Sequence, residues 1–229
     1  MPFFTDNFTD TDTTLLHNHV PDVGTSWTRL WASDANTDFV INASNQCKGD
    51  NDVNDGVMYT ADASYPSADY DITMTMVTNA ATNTSPLFML VRVQNQENMY
   101  AVAIENEPSE SSLYKKVTGT WTPLGVAFSK PANGSVCKLE IIGSTLKFYD
   151  DGVEIATATD SDITAAGKAG IAGGGGAELL VTTDDLRAHV IDTLSVNDLG
   201  TPGGDPEGSL LGGKLIFGGL LQHGVLVRG

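Results

Sequence analysis

The sequence predicts an all-β protein folded as an antiparallel two-sheet sandwich, and three observations carry that prediction. Short runs alternate apolar and polar residues with period two. Tight Gly-Ser and Asp-Gly turn signals separate several of those runs. The stretch from Leu87 to Val93 is apolar on both faces until Arg92, as a central strand is.

Taken from the start, residues 3–31 bring Phe3, Phe4 and Phe8, then His17-Asn18-His19 before Pro21. A His-x-His pair on a strand puts both rings on one face, an arrangement that metal sites use. Zinc needs three or four convergent ligands, and only His189 and His223 remain elsewhere, so the pair reads as loop anchoring. Trp27 and Trp31 flank Arg29 and Leu30 and read as core or rim plugs.

The segment GDNDVNDG at 49–56 concentrates the oxygen donors that Ca²⁺ prefers, with Asp50, Asp52, Asn54 and Asp55 as candidate ligands. It does not fit an EF-hand, and Asx-rich turns explain the same composition. Residues 70–77 set Tyr70, Ile72, Met74 and Met76 against Asp71, Thr73 and Thr75, the pattern of a half-buried strand.

Residues 87–93 and 101–105 form the arms of one hairpin, and 114–117 with 119–122 form another. In the latter, Tyr114 and Trp121 either stack on a sugar ring or plug the sheet. A meander follows. Cys137, Leu139 and Ile141 alternate with Lys138 and Glu140; Gly143-Ser144 turns into Leu146 and Phe148; Asp150-Asp151-Gly152 turns into Val153 and Ile155. After a polar loop come Ala169 to Ile171 and a four-glycine run, and Leu186, Ala188 and Val190 predict a closing strand.

This succession resembles the concanavalin A-like lectin/glucanase superfamily, in particular laminin G-like jelly rolls. The residues that carry the likeness are Gly143 to Leu146, Asp151-Gly152, Gly167 to Ile171, Asp184-Asp185-Leu186, and at the front Asp6-Asn7-Phe8, Pro21-Asp22, Gly24 and Trp27. Arg92 to Tyr100 resembles a hairpin that recurs in those domains. The resemblance implies a jelly-roll β-sandwich over 1–199, of the kind found in tailed-phage virion proteins. It also implies a concave face on which Arg92, Asn98 and Tyr100 would meet a host glycan; the architectural alternative is that Arg92 pairs with a carboxylate and Tyr100 packs. Members of the fold hold a structural Ca²⁺ near the first and last strands, which makes Asp6, Asp10, Asp184 and Asp185 a second candidate group. The fold serves lectins, glycosidases and structural modules alike.

The chain has 229 residues, 12 Lys and Arg against 29 Asp and Glu, and a formal net charge of −17. Nucleic acid and anionic membrane surfaces are disfavoured as partners, since both need clustered basic residues. No leader or 18-residue apolar run is recognisable, so synthesis in a host cytoplasm is expected, with Cys47 and Cys137 as buried free thiols.

The last segment differs in composition. Residues 200–213 read as a Gly/Pro-rich linker. Residues 214–229 read as an assembly arm, with glycines recurring every six positions from Gly212 at the end of the linker through Gly218 and Gly224, among Leu215, Ile216, Phe217, Leu220, Leu221, Val225, Leu226 and Val227. An arm of this kind needs partners: other virion proteins, or sibling chains wound into a homotrimer.

Catalysis is not expected. The paired-carboxylate motif E-x-D-x-x-E of retaining glycosidases is missing, and Glu105 and Glu107 stand just before Pro108. The sequence therefore points to a non-enzymatic virion surface protein of the head-decoration or fibre type, with a carbohydrate-binding module as the alternative and a glycoside hydrolase as a third reading.

Overall fold

The computed structural model describes residues 1–50, 56–79, 86–105, 111–175, 178–179 and 189–200. Residues 201–213 of the linker, the assembly arm, Asp52, Asn54, Asp55, Glu107, Asp184, Asp185 and Leu186 lie outside the described residues.

Among the described residues, fifteen strands run β1 Pro2–Asp6, β2 Ser26–Ala32, β3 Phe39–Ile41, β4 Cys47–Gly49, β5 Gly56–Asp62, β6 Tyr70–Asn79, β7 Leu87–Asn95, β8 Asn98–Ile104, β9 Ser111–Val117, β10 Thr120–Phe128, β11 Val136–Ile142, β12 Thr145–Asp150, β13 Val153–Thr159, β14 Lys168–Gly174 and β15 His189–Asp198. Among the described residues the helical content is one 3-10 turn, Leu16–Asn18. The strands form two antiparallel sheets. The first is ordered β13-β12-β11-β6-β15-β4-β3 with β1 also paired to β15; the second is ordered β10-β9-β8-β7-β14-β5-β2. The expected two-sheet sandwich is what the chain adopts.

Alternation produces the core. On β6, Tyr70, Ile72, Met74 and Met76 are buried; on β11, so are Cys137, Leu139 and Ile141. Opposite them lie Val57, Tyr59 and Ala61 of β5, Met89 and Val91 of β7, and Tyr100, Val102 and Ile104 of β8. Cys47 and Cys137 are free and buried.

A second apolar layer lies on the other face of the second sheet. Met58, Phe88, Leu90, Met99, Ala101 and Ala172 are buried there, with Trp31, Tyr114 and Trp121 packed against them. Gly170 of β14 lies so close to β5 that a Cβ would fall 2.1 Å from the Tyr59 carbonyl oxygen. Its lack of a side chain lets the two strands pair.

The closing strand differs from its sequence expectation. β15 runs on to Asp198, with Leu194 and Val196 buried, and pairs with β6 along most of its length. Register shifts between Val190 and Ile191 and between Ile191 and Thr193 break the alternation, which hides the strand from a period-two reading.

Candidate functional site

The 3-10 turn is where local sequence sets up a site. Residues 16–18 turn rather than extend, so the two histidines do not share a face. His19 is buried, its Nδ1 2.9 Å from Asp10 Oδ2 and its Nε2 2.8 Å from Asp6 Oδ1. Asp6 also accepts bonds from the Trp27 indole N–H (2.6 Å) and the Phe8 amide (2.7 Å). These contacts correct the reading of Asp6 and Asp10 as calcium ligands, because the imidazole already occupies the space between the two carboxylates. The imidazole of His19 ties Asp6 to Asp10. Among the described residues, no group of three or more His, Cys, Asp or Glu is arranged to hold a metal ion.

His17 goes the other way. The 3-10 turn packs against β2 and β3, the edge strands of the two sheets, and so closes one side of the sandwich. Between these elements is a polar cleft of about 400 Å³ lined by Leu15, His17, Arg29, Ala35, Asn36, Asp38 and Asp50.

Its fixed point is Asp38, whose side chain is 3% exposed. The Tyr59 hydroxyl donates to Oδ1. Arg29 Nη1 lies 3.2 Å from Oδ2, and His17 Nδ1 3.1 Å from the same oxygen. The Phe39 amide adds a further bond. Burial nevertheless holds the Asp38 carboxyl above the usual carboxylate range, against those donors. Burial, reinforced by the bond to Asp38, holds the Tyr59 hydroxyl far above its ordinary range, so it stays protonated and donates to Asp38.

The His17 tautomer follows from these contacts. Nδ1 faces the Asp38 carboxylate and, at 3.0 Å, a Tyr59 oxygen whose proton is directed at Asp38. Nδ1 therefore carries the hydrogen and Nε2 is left out of that network. With its acceptor positions filled, Asp38 positions its neighbours. The groups left to meet a ligand are the remaining guanidinium N–H bonds of Arg29, His17 Nε2, the Asn36 amide and the Asp50 carboxylate.

A second, shallower cleft of about 260 Å³ is walled by Gln94, Asn98, Asp162, Ile163, Thr164 and Ala165. Three residues proposed from sequence meet here, two of them beneath the surface. Arg92 sits at a β-bulge with φ 48°, which turns its side chain from the outer face into the interior. It is 1% exposed and donates to Asp69 Oδ1 (3.1 Å) and to the carbonyls of Ala68 (3.0 Å) and Ile163 (2.9 Å). Tyr100 is buried, donating to Asp160 (2.7 Å) and accepting from the Ile163 amide (3.0 Å). Both therefore hold the cleft's floor, and the expectation that they face a ligand is corrected in favour of the architectural one. Asn98 stays at the wall, its Oδ1 receiving the Thr118 amide. Lys115 clamps Asp160 (2.6 Å) and Asp162 (2.7 Å).

Tyr114 and Trp121 belong to neither cleft. Trp121 stacks on Phe88 (5.6 Å, 28°), meets Tyr114 edge-on, and donates its indole N–H to the Glu178 carbonyl at 3.2 Å. Beneath the ring, Lys116 is 1% exposed and ion-paired with Glu178 at 2.7 Å. The indole thus seals the outer apolar layer.

The cleft at Asp38 was not legible from the sequence. Its residues come from four separate elements, and Asp38 precedes an apolar run as many turn residues do.

No protein-family model matches the sequence, and no curated protein matches it. Solved structures do share its fold. Domain 4 of AbnA, an extracellular arabinanase of Geobacillus stearothermophilus in complex with arabinotriose, aligns at TM-score 0.55 and 14% identity over 86% of this chain and 92% of that one. A glycosyl hydrolase family protein of Mycobacterium fortuitum aligns at 0.53 and 10% over 86% and 100%. The carbohydrate-binding module CBM66 of Bacillus subtilis aligns at 0.51 and 16% over 75% and 92%. At these identities the likeness is one of fold. The class so defined is the lectin-type jelly-roll sandwich, as the resemblance in the sequence implied.

Proposed function

We propose that the chain is a non-catalytic carbohydrate-binding domain that holds its glycan in the cleft walled by His17, Arg29, Asn36, Asp38 and Asp50. The observation that carries the reading is the buried carboxylate of Asp38, whose bonds to Tyr59, Arg29 and His17 fix donors and acceptors around one cavity. A sugar ring presents hydroxyls that each donate and accept, and a rigid mixed set of partners meets them with little ordering cost. The fold shared with a carbohydrate-binding module and with an arabinotriose-bound domain supports the same reading. Asp38 is saturated by hydrogen bonds, and among the described residues the only other acidic lining residue is the exposed Asp50. Neither is placed as the acid and base pair of a hydrolase.

The test is retention of the full chain on immobilised polysaccharides, beginning with arabinan. Arg29→Gln is expected to weaken retention about tenfold, the loss of one charged hydrogen bond. Retention of the variant equal to that of the wild type would remove the assignment.

Attachment to a virion or to sibling chains is the second part of the proposal, and it rests on the glycine-punctuated pattern of 214–229. A full-length protein of trimer mass whose 1–199 truncation is a monomer supports it; equal masses per chain oppose it.

A further inference from the structure

We infer that this cleft selects uncharged glycans and excludes acidic ones, with Asp50 as the residue that sets the preference. The inference rests on the carbohydrate reading above. Arg29 would ordinarily attract a carboxylate or sulfate, but its Nη1 is 3.2 Å from Asp38 Oδ2, so its charge is matched within the protein. The hydrogen on His17 Nδ1 is likewise turned to Asp38, away from any incoming anion. Asp50, which lines the same cavity and is exposed, has no ion-pair partner among the described residues. It leaves the lining with one more carboxylate than guanidinium.

A further fact acts in the same direction: the whole chain carries a formal net charge of −17. An acidic polymer approaching the cleft therefore meets like charge at long and short range, while a neutral polyol meets alternating donors and acceptors. Specificity by unmatched like charge needs no additional contact to the favoured ligand.

The experiment is affinity electrophoresis of the full chain in gels containing arabinan, galactan, mannan or a mixed-linkage glucan, against polygalacturonate, alginate or chondroitin sulfate. The expected result at 20 mM salt is retardation by at least one neutral polymer and by none of the acidic ones, with the neutral retardation unchanged at 200 mM salt, where long-range repulsion is screened. Asp50→Lys, at an exposed position that leaves the core intact, is expected to admit at least one acidic polymer. Retardation of the wild type by an acidic polymer overturns the inference, as does an Asp50→Lys protein with the wild-type preference. Absence of retardation by every polymer is a different failure: it removes the carbohydrate reading, and the inference with it.

Discussion

His19 Nε2 lies 2.8 Å from Asp6 Oδ1, with both side chains buried, and this contact ties the first strand to the turn that closes the sandwich edge. The second ring nitrogen faces Asp10, so the imidazole satisfies both carboxylates only as a cation. Burial opposes that charge, but the bonds to Asp6 and Asp10 outweigh it and raise the His19 pKa above its ordinary value. A histidine whose folded pKa is raised adds stability that is fully present below its unfolded pKa of about 6.5 and is lost as pH rises through the folded value. Thermal melts from pH 6 to pH 9 should therefore show Tm falling by about 2–4 °C for each kcal/mol lost. His19→Gln should flatten that slope, and an unchanged slope would exclude the clasp.

Asp10 titrates in the opposite sense. Its bond to His19, helped by the Thr11 amide, lowers its pKa below the usual carboxylate value. Its contribution is present above pH 4 and is lost as pH falls through the folded value. Asp10→Asn should therefore be less stable than the wild type at pH 6, with the gap closing under strong acid in urea titrations.

Tyr59→Phe deletes the donor to a buried carboxylate while keeping the ring in the core. A hydrogen bond to a charged group is worth about 1.5–3 kcal/mol. Urea unfolding should show a loss of that size, and polysaccharide affinity should fall with it, because Asp38 then holds Arg29 and His17 less firmly.

Arg92→Ala should destabilise by about 3–5 kcal/mol, since it strands Asp69 and two carbonyls in the interior. Arg92→Lys keeps the charge but not the three-way fork and should restore only part of that loss. Equal stability of the two variants would contradict the anchoring role.

Gly170→Ala places a methyl against the Tyr59 backbone, where no flexible side chain yields. A loss of about 1–3 kcal/mol is expected from the forced separation of β14 from β5, read from the urea midpoint.

These residues also mark what sequence can and cannot reveal. Strands with one wet face, such as β6 and β11, announce themselves because Thr and Lys alternate with Ile and Leu. β5 does not: Gly56 through Ala61 are buried on both faces, and β3 and β4 have three residues each. The Arg92 to Tyr100 hairpin was legible as a hairpin. Its outward-facing residues were not, because the bulge at Arg92 reverses the side-chain order. His17 and His19 were misplaced for a related reason: two residues apart on a strand share a face, whereas the 3-10 turn sends one ring to Asp38 and the other to Asp6. The cleft itself has no sequence signature, since only the docking of two sheet edges brings Arg29, Asp38 and Asp50 together.

The proposed glycan site lies between His17 and Asp50. The most direct test follows side-chain nitrogen resonances of the full chain during titration with a retained neutral polysaccharide. Saturable shifts are expected for the His17 ring and the Asn36 amide, with the Asn98 amide and the Trp121 indole unmoved. Saturable shifts confined to Asn98 or Trp121, with His17 still, would contradict it.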